Sequence, residues 1–171
     1  MLVAALQSAL GTDAGIKLQQ SFMQSADFMT YMTAPSGLAF NYFDSGMNCS
    51  AIASKYWFAR ERNDASIVTI DEKFIADGKF YADRLLPIYM IFGSGINLSG
   101  TKRPTRNTWS AQGEVPLFIY RSGWTHTNDT YFAIKGGKAE SNHGHMDAGS
   151  FIYEYDGVRW AVDLGSHDYN R

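Results

Sequence analysis

Apolar residues recur every three or four positions through the first half of the chain. Near the end they recur every second position. The first pattern predicts helices and the second predicts strands. Leu2, Leu6 and Leu10 share one helical face, and Gly11 follows as a natural stop. A weaker helical stretch runs from Leu18 to Met32, before Pro35. Ser50 to Arg62 is a clearer helix, with Ile52, Tyr56 and Ala59 on one side and Lys55 and Arg62 elsewhere. Asp71 is placed to cap a short helix through Ala76, and Lys79 to Phe92 forms another, kinked or restarted at Pro87. Residues 1–92 are therefore expected to be helical. Residues 93–116, rich in Gly and small polar residues, read as a linker. Its Lys102, Arg103 and Arg106 make it either a solvated connection or a basic loop over a cleft. From 117 to 171 the period is two. "LFIYRS" and "TYFAIKGG" read as strands, and "SFIYEYDGVRWAVDLG" as a hairpin turning at Asp156-Gly157. That turn sets Tyr155 opposite Val158, Glu154 opposite Arg159 and Tyr153 opposite Trp160. Phe151, Tyr153, Trp160, Val162 and Leu164 then share an apolar face, with a Glu154–Arg159 ion pair on the other. One hairpin cannot bury such a face, so more strands are expected. The first helix also lacks an N-cap, and the chain is expected to be a fragment of a larger protein.

Composition narrows the function. Of 171 residues, 45% are hydrophobic, enough for a packed core. Ten Tyr and four Trp suit a core, and also a cleft that stacks on sugar rings. A net charge of -2 gives no general pull toward nucleic acid or an anionic membrane. No apolar run is long enough for a membrane span. One cysteine, Cys49, rules out an internal disulfide and thiolate zinc clusters.

The chemistry concentrates in "NHGHMDAGSF", Asn142 to Phe151. On a strand His143 and His145 would point to one face and could act together. Two readings of the residues stay open. His145, Asp147 and His167 could form a two-histidine, one-carboxylate iron site. Alternatively, one histidine is catalytic and the other ligates zinc with a nearby aspartate, for which Asp163 is the natural candidate. The hairpin register puts Asp163 opposite Ser150, so His145 reaches it only if the chain bulges near Asp147-Ala148-Gly149.

The stretch from Lys135 to Tyr169, "KGGKAESNHGHMDAGSFIYEYDGVRWAVDLGSHDY", resembles the signature of the heparinase II/III-like polysaccharide lyases. "ALQSALGTD" and "MTAPSGLAFNYFDSG" resemble the closing helices of that family's α-helical toroid. The resemblance implies an α+β multidomain fold: the end of an incomplete (α/α) toroid over 1–92, then the first strands of an antiparallel β-sandwich over 117–171. It implies β-elimination on uronic-acid glycans of the heparin, heparan sulfate or alginate kind, outside the cytoplasm, in the periplasm or secreted. His143 matches the family's active-site histidine from the sandwich. His145 and Asp163 match a structural zinc pair found in some members, whose third ligand would lie beyond Arg171. Asn142, Arg121 and Trp124 are candidates for substrate contact, with a turn cap or a structural role as their alternatives. Asp44, in "FDSG", would cap or orient a helix.

The sequence departs from the family in that the toroid's Asn or His charge neutraliser, most of the sandwich and the catalytic tyrosine motif are not found in it. The family's catalytic tyrosine sits in an "EGPxYWxYG"-like stretch, and none of Tyr31, Tyr42 or Tyr56 has that context. The chain by itself is therefore expected to be inactive. A glycan-binding module without chemistry is the alternative, and the iron oxygenase a further one.

Overall fold

The computed structural model describes residues 1–78, 84–98, 102–138, 140 and 143–166. The chain is mixed α+β and divides into two compact units. One comprises Met1–Thr30 and Ser50–Arg103, the other Tyr31–Cys49 and Pro104–Arg171.

In the first unit, α1 (Leu2–Leu10) ends where expected. Gly11 takes the left-handed conformation at φ 66° and its N–H returns to the Gln7 carbonyl. The stretch expected as one helix from Leu18 to Met32 is broken into a 3₁₀ turn (Ile16–Leu18), α2 (Gln20–Gln24) and α3 (Asp27–Met32). Gln19 is extended, and the Ser25 hydroxyl donates to the Phe22 carbonyl at 2.6 Å. Such local side-chain bonds compete with helix continuation. Helix α4 (Ala53–Arg62) ends on Asn63 at φ 48°. Its Tyr56 and Ala59 pack with Ile67, Val68 and Tyr89 in the core of this unit. Lys55, expected away from the apolar side, is instead buried, and its ammonium meets Asp71 at 2.8 Å. Asp71 is not the cap of α5 (Asp71–Ala76), for Ile70 holds that position. Its carboxyl is fully enclosed; burial pushes its pKa up while the Lys55 ammonium opposes the shift. Pro87 lies in the first turn of α6 (Leu86–Gly93), where its missing N–H costs nothing. Residues 79–83 of the helix expected there fall outside the described residues.

The second unit holds a five-stranded antiparallel sheet in chain order: β1 (Thr108–Ala111), β2 (Leu117–Arg121), β3 (Tyr131–Lys135), β4 (Phe151–Tyr155) and β5 (Val158–Ala161). β1 falls inside the stretch read as a linker. Its four residues, TWSA, are too few to display a period. The segment Tyr31–Cys49, read with the helical half, also belongs here. It is folded by isolated bridges, Thr33 with Ala39 and Leu38 with Asn48.

That segment covers one face of the sheet. Leu117, Ile119, Arg121, Tyr131, Ala133, Lys135, Ile152 and Glu154 all point inward. The Tyr131 hydroxyl donates to the Tyr31 carbonyl at 2.9 Å, and Tyr31 stacks on Trp109. The Ser36 hydroxyl donates to Glu154 at 2.8 Å, and Arg159 donates to the Ala39 and Leu38 carbonyls at 3.0 and 3.3 Å. The sheet's inward side chains thus satisfy the Tyr31, Leu38 and Ala39 carbonyls of the segment.

The hairpin turns at Asp156 and Gly157, both at positive φ, as a two-residue primed turn requires. Tyr155 faces Val158 and Glu154 faces Arg159 as expected, but Tyr153 faces Ala161 rather than Trp160. A bulge at Tyr153/Glu154 adds one residue to β5. The polar pair is the buried side of the hairpin: Arg159 Nε donates to Glu154 at 2.6 Å. Phe151, Trp160, Val162 and Leu164 are exposed.

Candidate functional site

The loop between β3 and β4 carries His143 and His145, and none of its described residues is in a strand. Backbone bonds pin both of its ends: Lys135 N–H donates to the Ser150 carbonyl at 3.1 Å and Gly149 N–H to the Lys135 carbonyl at 2.8 Å. The buried Lys135 ammonium holds the loop again just before β4, meeting Asp147 Oδ1 at 2.5 Å. It also lies 4.5 Å from the centre of the Phe43 ring, a cation–π contact.

His143 sits at φ 59°, in the left-handed region that costs a side-chain-bearing residue about 1–2 kcal/mol. Because of that turn, alternation does not explain how His143 and His145 come together. Asp44 brings them together. His143 Nδ1 lies 2.5 Å from Asp44 Oδ2, and His145 Nε2 lies 3.2 Å from Asp44 Oδ1. Phe43, next to Asp44, is itself left-handed at φ 57°, and its ring packs 5.9 Å from that of His145. Strained residues held by their surroundings are characteristic of functional sites. The His143 side chain is 62% exposed, while Asp44 and His145 are 28% and 27% exposed. The site therefore presents one open imidazole above a half-sheltered carboxylate and a second ring.

Asp44 was expected to serve a helix. It lies instead in a turn, with its carboxylate given to the two histidines. The signal available in the sequence was only an acid before Ser-Gly, which marks many turns.

The remaining candidates are placed as follows. Arg121 is 4% exposed. Its Nη1 donates to the Thr33 carbonyl at 2.5 Å, its Nε to the Gly123 carbonyl at 3.2 Å, and its guanidinium lies 3.9 Å from the centre of the Trp124 ring. Burial lowers its pKa to about 10. Trp124 donates through Nε1 to the Arg106 carbonyl at 3.2 Å and meets Tyr31 edge to face. Both residues are engaged in holding the start of the β2–β3 loop. Arg103, of the basic stretch, is tied to Thr69 and Glu72.

Asp163 Oδ2 accepts from the Ser150 hydroxyl at 2.7 Å and Oδ1 from Gly165 N–H at 2.8 Å. The chain does bulge at Gly149, which sits at φ 92° and with Ser150 opposes the single residue Lys135, and a second irregularity lies at Tyr153/Glu154. The two residues that the resemblance gives to zinc are thus each held by other partners, His145 by Asp44 and Asp163 by Ser150 and Gly165. Asp147, of the iron reading, is paired with Lys135. Among the described residues no group of three His, Cys, Asp or Glu side chains is gathered for a metal ion. Asn142 and His167 lie outside the described residues.

The arrangement can accept or donate a proton at an exposed imidazole, or hold an anionic group against it. Among the described residues no helix is long and apolar enough to cross a membrane. Set against known proteins, the chain matches no family model and no curated protein.

Proposed function

We propose that this chain contributes the histidine side of a lyase site for uronic-acid polysaccharides, and that His143 is the residue that meets substrate. The observation that carries the reading is the exposed His143 ring, held at a left-handed turn by Asp44. In β-elimination a base removes the C5 proton, that electron pair forms the C4–C5 double bond, the C4–O4 bond breaks, and O4 leaves with a proton. The step is hard because charge builds on the uronate carboxylate, so the site must supply both proton transfer and charge stabilisation. An imidazole can do either. His143 assists the proton transfer or binds the carboxylate. The family's tyrosine stretch is not in this sequence, so the chain alone binds without turning substrate over.

The same proposal extends to architecture and setting. The helical unit is read as the end of a toroid and the sheet as the first layer of a sandwich. Two cross-strand rows on the outer face, Phe118–Ile134–Phe151 and Tyr120–Phe132–Tyr153, are what a second sheet would cover. Action on such glycans places the protein in the periplasm or outside the cell. No step of this reading runs through a metal.

The test is a titration of the labelled chain with heparin and alginate oligosaccharides, followed by NMR, with a neutral glycan as control. The His143 signals should shift with the acidic sugars only. His143→Ala should weaken binding about tenfold, the loss of one charge-assisted hydrogen bond. Acidic oligomers that leave His143 unmoved would remove the reading. Ultraviolet absorbance from a C4–C5 double bond, formed by the chain alone, would overturn the claim that it lacks turnover. Binding without turnover by any longer form that does carry the tyrosine stretch would favour the non-catalytic glycan-binding module.

A further inference from the structure

We infer that Asp44 is the positioning residue of this site, fixing the two histidines in opposite tautomers with a single carboxylate. An ionised carboxylate can only accept hydrogen bonds. The nitrogen that faces it must therefore carry the proton. For His143 that nitrogen is Nδ1, at 2.5 Å from Asp44 Oδ2, so in the neutral ring the lone pair is on Nε2. For His145 it is Nε2, at 3.2 Å from Asp44 Oδ1, so the lone pair is on Nδ1. A free imidazole exchanges between these forms, and a carboxylate partner selects one.

The consequence is directional. Nδ1 of His143 is turned toward Asp44, and Nε2, at the far side of the ring, becomes the nitrogen with which His143 can take a proton. This part rests on the lyase reading; the tautomers do not. The surroundings favour the geometry. Phe43 and His143 both occupy left-handed backbone, and Lys135 anchors Asp147 in the histidine loop while its ammonium lies over the ring of Phe43. Asp44 and His143 are 99 residues apart in sequence and both belong to the sheet unit.

The experiment is long-range proton–nitrogen NMR of the ¹⁵N-labelled chain at neutral pH, which reports the protonation of each ring nitrogen. His143 should show a protonated Nδ1 and a bare Nε2, and His145 the reverse. Asp44→Asn keeps the shape and offers one carbonyl and one NH₂. It cannot accept from both rings with its two heavy atoms as Asp44 does, so at least one histidine should change tautomer while the backbone spectrum stays folded. A wild-type spectrum with Nε2–H on His143 overturns the inference, and so does a folded Asp44→Asn chain with both tautomers unchanged. The wild-type spectrum decides even if the variant fails to fold. Tautomers as stated, with no response of His143 to acidic oligosaccharides, would uphold the role of Asp44 and sink the lyase reading alone.

Discussion

Arg121 shows what a buried guanidinium is for in this fold. Its neighbours Thr33 and Gly123 present carbonyls, and Trp124 and Tyr131 present ring faces. Removing the cation would strand both carbonyls, each costing about 1–3 kcal/mol when buried without a partner. Arg121→Met is therefore expected to lower stability by about 3 kcal/mol in urea unfolding, and to leave the His143 response to oligosaccharides intact in the folded chain. A variant of normal stability that no longer binds would return Arg121 to the substrate. Asp71 gives a second, pH-dependent prediction. Burial raises its folded pKa, so the folded state takes up a proton more readily than the unfolded chain. The resulting stabilisation is full below the ordinary carboxylate pKa and fades as pH rises from that value through the folded one. Asp71→Asn removes this titration, so the stability gap between wild type and variant should vary with pH across that window and be flat above it. A gap that does not vary with pH there would mean that Asp71 titrates alike in both states.

At the level of elements, local signals were legible and long-range ones were not. Gly11 and the Asp156-Gly157 turn act within a few residues, and the sequence carries them openly. The Glu154–Arg159 pair follows from the turn. Its burial does not, because that depends on Ser36, Leu38 and Ala39, which lie more than a hundred positions away. Asp44 escaped for the same reason, since nothing near it in sequence names its partners. Of the residues expected on one apolar face of the hairpin, Phe151, Trp160, Val162 and Leu164 are exposed, the bulge takes Trp160 out of register with Tyr153, and the covered side is the ionic one. A buried ion pair of this kind makes a clear prediction. Glu154→Leu alone leaves Arg159 without its carboxylate and should cost about 3–5 kcal/mol. Adding Arg159→Met should cost less than the sum of the single changes, with a coupling of about 1–3 kcal/mol by chemical denaturation. Additive losses would mean that the two side chains stabilise the fold through Ser36 and the carbonyls rather than through each other.

For the molecule as a whole, the decisive asymmetry is between the two faces of its sheet. One is covered by Tyr31–Cys49, with every strand sending a side chain into it. The other carries Phe118, Tyr120, Phe151 and Tyr155 in exposed positions, and Trp160 is 67% exposed beside them. Strand pairing runs these residues into continuous rows rather than scattering them. Contiguous apolar surface of this kind is unusual on a water-facing sheet, where alternation normally ends in polar residues. The net charge of -2 offers little electrostatic protection against such a patch. The chain should therefore bind an apolar fluorescent dye in its native state, before any unfolding. Phe118→Lys with Phe151→Lys breaks one row at both ends, and dye fluorescence should fall sharply. Stability should move by no more than about 0.5 kcal/mol per substitution, because neither side chain is in the covered core. A dye signal that survives both lysines would place the apolar patch on another surface. A large loss of stability would mean that these rings pack into the fold more than their exposure allows.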